Sequence, residues 1–116
     1  MPDIATAYLA TWNADPSDRQ RLLDAHWAPE VVHVDPLAEV TGREALDDLI
    51  SAVQAQYPDF VFTQASEADA HHRQLRFTWG LGPAGEEPAI IGFDVVVLDE
   101  HDRIRDVRGF LDQVPA

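Results

Sequence analysis

The chain has 116 residues, enough for one domain over residues 1–116 that buries roughly two-thirds of its unfolded surface, and too few for a second. Its formal charge of −13, from 21 acids against 8 lysine-plus-arginine residues, would repel a phosphate backbone, so no nucleic-acid partner is expected. Cysteine is absent and every one of those bases is arginine, which excludes thiol nucleophiles, disulfides, thiolate metal sites and lysine Schiff bases.

Apolar residues make up 46% and no long polar tract interrupts them, the composition of a folded globule. Met1 to Trp12 lacks the basic start of a secretory signal, and the longest apolar run, Ala89 to Leu98, is broken by Asp94 and too short to span a bilayer. A cytoplasmic location without membrane contact is therefore expected. The serines Ser17, Ser51 and Ser66 sit in no nucleophile-elbow pattern, which leaves acid–base work by Asp, Glu, His and Tyr, or plain binding.

In chain order, Ile4, Tyr8 and Trp12 fall at i, i+4 and i+8 and predict a first helix over Ile4 to Asn13. After the Asp15-Pro16-Ser17 turn, Ser17-x-x-Gln20 reads as a capping box. Leu22, Leu23, His26 and Trp27 then give a second amphipathic helix ended by Pro29. Val31 to Asp35 is a β-branched run closed by Pro36, and so a strand. Thr41-x-x-Glu44 reads as another capping box before Leu46, Leu49, Ile50 and Val53, a third helix to about Gln56 stopped by Pro58. From there the period is two: Asp59–Glu67, Arg73–Gly82, Pro88–Asp99 and Arg103–Asp112 read as an antiparallel meander. Early helices and late strands, in the order ααβαββββ, predict an α+β fold with helices on one face of a curved antiparallel sheet.

Gly80-Leu81-Gly82-Pro83-Ala84-Gly85 matches G-x-G-x-x-G in form, but a strand follows where a dinucleotide site needs a helix, so it reads as a hairpin turn. The five histidines contain no H-x-x-x-H pair, and His71 and His72 point to opposite faces of a strand, so no metal is assigned. His33 shares parity with Asp35 and is a candidate for lining a pocket.

Asp94 is the anomaly. It interrupts Ile90 to Leu98, apolar on both faces, where burial without a partner disfavours the charged form and makes it a candidate protonated hydrogen-bond donor. Pairing with an arginine, or exposure at a strand bend, is the alternative. Asp35 before Pro36 reads on its own as a turn residue. Tyr8 and Trp12 read first as core aromatics, although a buried tyrosine hydroxyl needs a partner.

Tyr8 on the first helix, Val34-Asp35-Pro36, Gly42-Arg43-Glu44 opening the next helix, and Asp94 ahead of Leu98-Asp99-Glu100-His101-Asp102-Arg103-Ile104 coincide in one pattern. With these residues the chain resembles, over nearly its whole length, the nuclear transport factor 2-like superfamily in its SnoaL-like and ketosteroid isomerase-like branch. The resemblance implies a cone of curved, partly mixed sheet closed by helices. It implies Asp35 as proton-transferring base, Tyr8 as phenolic oxyanion donor and Asp94 as protonated carboxyl donor, a use of a neutral carboxyl for which ketosteroid isomerase is the standard example. Trp27 and Ile50 stand where the isomerase has supporting tyrosines, and Leu111 where it has a pocket tryptophan. An oxyanion hole here would be less buttressed, and a steroid substrate does not follow.

Two functions are expected. In the first, Asp35 abstracts a proton next to a carbonyl while Tyr8 and Asp94 hold the enolate oxygen, giving an isomerase or polyketide cyclase that needs no cofactor. In the second, the chain is a non-catalytic pocket for a small hydrophobic ligand, with Trp12, Trp27, Phe77 and Trp79 lining it. Phe77, Trp79 and Leu81 share one strand face, and His33, Val96 and Leu111 complete the candidate lining. Phe93, Val95 and Val97, opposite Asp94, Val96 and Leu98, suggest a homodimer through the outer sheet face.

Overall fold

The structure, a computed structural model, describes residues 3–115. It is an α+β fold in which helices pack into a curved mixed sheet. Helix α1 (Ile4–Asn13) is capped by Asp3, whose carboxylate accepts the Thr6 N–H at 3.1 Å, and it buries the face carrying Ile4, Tyr8 and Trp12. Helix α2 (Pro16–His26) starts at Asp15 rather than Ser17. Proline at the first helical position needs no N–H partner, and the Asp15 carboxylate accepts the Asp18 N–H at 2.9 Å.

Trp27 leaves the helix. Its backbone is extended, and it opens strand β1 (Trp27–Val34), so Pro29 lies within a strand rather than ending a helix. A register irregularity between Trp27 and Val32 accommodates a residue that cannot donate to the ladder. A short strand β2 (Glu39–Thr41), not anticipated in the sequence, pairs antiparallel with β1. Thr41 is thereby a strand residue opposite Val32 and caps nothing. Helix α3 (Arg43–Gln56) starts instead at Gly42, at φ +93°, whose N–H bonds to the Val31 carbonyl at 2.7 Å.

Strands β3 (Phe60–Gln64), β5 (Gln74–Pro83), β6 (Ile90–Leu98) and β7 (Ile104–Gln113) are the expected meander, and the three-residue β4 (Asp69–His71) adds to β5. The order across the sheet is β2-β1-β7-β6-β5-β3. Pairing of β1 with β7 is parallel, and this contact positions the site. Val34 lies opposite Arg108, so Asp35 arrives beside Gly109, while Asp94 on β6 is the antiparallel partner of the same Gly109.

The core lies between the concave face and the helices, and β6 alternates buried and half-buried residues along its length. Arg19 is fully buried. It donates to Asp47 at 2.6 Å, to the Ala14 carbonyl at 3.0 Å and to Ser51, and so ties α2 to α3. Among the described residues no helix is long and apolar enough to cross a membrane.

Candidate functional site

A cavity of about 160 Å³ opens inside the cone, and Tyr8, Asp35 and Asp94 all border it. Asp94 is 2% exposed and points inward from β6 because the alternation of that strand places it there. Tyr8, on the buried face of α1, donates its phenolic O–H to Asp94 Oδ2. Burial pushes the Asp94 carboxyl above its ordinary range and the Asp35 charge adds to this, against the opposing pull of Tyr8, His33 and Trp79. Burial, followed by the Asp94 charge, drives the Tyr8 phenol well above its usual value. The pair therefore holds its protons tightly.

Asp35 has the opposite environment. Its Oδ2 meets His33 Nε2 at 3.0 Å, and its Oδ1 accepts the Leu37 and Ala38 N–H groups at 2.9 and 3.0 Å, the turn geometry expected after Asp-Pro. Burial raises its pKa, but His33 and the two backbone donors outweigh burial and hold the carboxyl below the ordinary range. An ionised carboxylate can only accept, so in this contact His33 Nε2 is the donor.

The two acids pack side by side over Gly109, where the missing side chain leaves them room. A β-carbon built on Gly109 would stand 2.5 Å from Asp94 Oδ1 and 3.3 Å from Asp35 Cβ. A β-carbon on Gly92 would overlap the Trp79 indole at 2.0 Å, so that glycine lets the indole lie flat over β6.

Of the remaining sequence candidates, Trp12, His33, Trp79 and Leu111 border the cavity. Trp27, Phe77 and Val96 do not. All three are at most 1% exposed within the core. Trp27 spends its N–H on Thr11 Oγ at 3.0 Å, and Phe77 packs edge-on against the back of the Tyr8 ring at 5.3 Å. Both brace Tyr8 from behind, which is how an apolar stripe at strand spacing serves a site without entering it. The sequence reading missed Leu49 and Val53 of α3, Tyr57 just after that helix, Phe62 of β3 and the exposed Leu37 at the mouth. Leu49 and Val53 carried a signal, their i, i+4 spacing, which does not distinguish a core face from a cavity wall. Among the described residues no group of three or more His, Asp or Glu side chains is arranged to hold a metal ion.

A helix-closed cone of mixed sheet, with a tyrosine and two acids bordering an apolar cavity, defines a nuclear transport factor 2-like fold. The chain belongs to the SnoaL-like domain family, whose sequence pattern matches residues 5–107. A crystal structure from Agrobacterium tumefaciens, described as a candidate isomerase of the SnoaL-like family, is 36% identical, covers 94% of each chain and superposes with a TM-score of 0.89. A candidate polyketide cyclase from Sinorhizobium meliloti is 16% identical over 97% of this chain and 95% of its own, with a TM-score of 0.71. A Catenulispora acidiphila protein of ketosteroid isomerase-like fold, solved with trimethylamine, is 19% identical over 94% and 85%, with a TM-score of 0.73. The last two likenesses are of fold. No curated protein matches the chain.

Proposed function

We propose that the chain is a cofactor-independent isomerase or cyclase that enolises a small carbonyl compound. The observation that carries this reading is that Asp35 and the hydrogen-bonded Tyr8–Asp94 pair border one apolar cavity, with both acids packed beside Gly109. An ionised Asp35 takes the proton next to the carbonyl and returns it at another carbon.

Proton counting decides what the other two groups do. With Asp94 neutral, the pair carries two protons, one bridging Tyr8 and Asp94 and one left to donate to the developing enolate oxygen. With Asp94 ionised, the single phenolic proton is used between them and the oxygen receives nothing. The raised Asp94 pKa thus favours the donor state. The test is deuteration next to the carbonyl of simple ketones in heavy water, followed by NMR. Asp35→Asn should lower a wild-type rate by about 10²- to 10⁴-fold, and full retention would remove Asp35 as the base.

One observation favours a second reading, a non-catalytic pocket for a small hydrophobic ligand. Asp35 already accepts three hydrogen bonds, and a carboxylate so satisfied is a weak base. Binding of a ketone without any exchange would select this reading. In either case the half-buried Phe93, Val95 and Val97 on the outer sheet face are proposed as a homodimer contact.

A further inference from the structure

A second cleft, of about 270 Å³, lies between the C-terminal ends of α1 and α3 and strand β3, and it shares Trp12, Val53, Tyr57, Phe62 and Leu81 with the inner cavity. The two spaces therefore adjoin, with these five residues between them. At the centre of the partition the Phe62 ring meets Trp12 edge-on at 5.4 Å and Trp79 at 5.3 Å.

The backbone around this partition is fastened by side-chain amides. Asn13 accepts the Phe62 N–H at 2.8 Å and donates to the Phe62 carbonyl at 2.9 Å. Gln54 donates to the carbonyls of Trp12 and Ala14, both at 2.9 Å. With the main chain so held, rotation of the half-buried Phe62 ring is the movement that a ligand reaching from one space into the other would require.

Size gives the partition a meaning. A cavity of about 150 Å³ holds one benzene ring, so the inner cavity alone accommodates a single-ring head. Charge narrows the ligand further. Among the described residues no arginine borders either space, the chain has no lysine, and Asp15 and Asp59 stand on the outer cleft. A carboxylate or phosphate on the ligand would find no counter-charge and would be repelled.

We propose that the pocket takes an elongated, uncharged ligand about two rings long, its carbonyl-bearing head against Tyr8 and Asp94 and its tail beyond Phe62 in the outer cleft. The proposal rests on the carbonyl-pocket reading and adds the length, the charge and the path of the ligand. Phe62 is then the residue that sets ligand length.

Phenol and 4-phenylphenol are suitable probes, since each presents an enol-like hydroxyl and they differ by one ring. NMR of wild-type protein with 4-phenylphenol should show Overhauser contacts from the distal ring to Phe60 and Val61. Phe62→Trp should weaken 4-phenylphenol by at least about tenfold more than it weakens phenol. Distal-ring contacts to Leu37, Phe110 and Val114 would place the tail in the front mouth and overturn the proposal while leaving the inner pocket intact. Equal weakening of both probes by Phe62→Trp would also overturn it. Failure of phenol itself to bind wild-type protein would remove the carbonyl-pocket reading and this proposal with it.

Discussion

Asp94 and Gly109 are cross-strand partners, and the Asp94 carboxyl occupies the space that any side chain on Gly109 would need. Gly109→Ala should therefore push Asp94 away from Tyr8 and crowd Asp35. Overpacking of this kind costs about 1–3 kcal/mol, readable as a lower denaturation midpoint. The Tyr8 phenol should at the same time titrate closer to its ordinary range, a change visible in the ultraviolet that a purely structural penalty would not produce.

The raised pKa of Asp94 fixes one pH dependence. The folded state holds this proton more tightly than the unfolded chain. The resulting stabilisation is fully present below the unfolded pKa and is lost as pH rises through the folded one. Asp94→Asn, which cannot ionise, should show a flatter stability curve across that window in urea melts. Tyr8→Phe leaves the carboxyl without its hydroxyl partner and should cost about 1–3 kcal/mol.

Asp35 has the reverse sign. Its lowered pKa gives stabilisation that is present above the unfolded value and lost as pH falls through the folded one. Replacing the donor, in His33→Phe, should bring the Asp35 pKa up and move this acid-side loss to higher pH, as followed by circular dichroism.

Much of this arrangement was readable in the residues because their local signals agree with the tertiary outcome. Helix α1 lies where the Ile4, Tyr8, Trp12 spacing puts it, and the four late strands keep their order. Asp94 stood out because a carboxyl inside an apolar strand conflicts with its surroundings. Asp35 did not, since its place beside Gly109 depends on a parallel pairing between strands some seventy residues apart, which no local pattern encodes. Thr41 misled for a similar reason, its capping signal being overridden by pairing with Val32. Strands β2 and β4 have three residues each, too few for a period to register. Trp27, Phe77 and Val96 show the limit of apolar patterning, which marks a residue as inside without saying whether it faces packed atoms or open space.

Arg19 was silent in the sequence because an arginine in a polar helix reads as a solvated side chain. Its burial against Asp47, Ser51 and the Ala14 carbonyl predicts that Arg19→Ala leaves several acceptors unpaired between α2 and α3. A loss of about 3 kcal/mol is expected, measurable by urea denaturation, with little change in phenol binding.

The outer sheet face carries its own prediction. Light scattering should give twice the 12.9 kDa chain mass, and Val95→Glu should return the species to a single chain. A lone 12.9 kDa species in the unsubstituted protein would rule out the dimer.

The measurement closest to the centre of the mechanism is a carboxyl ¹³C NMR titration of Asp35 and Asp94 in one sample, assigned with Asp35→Asn and Asp94→Asn. Two separated transitions are expected, Asp35 ionising below the ordinary carboxylate range and Asp94 remaining protonated above it. Two carboxyls titrating together near the ordinary value would contradict the division of labour between an ionised base and a neutral donor.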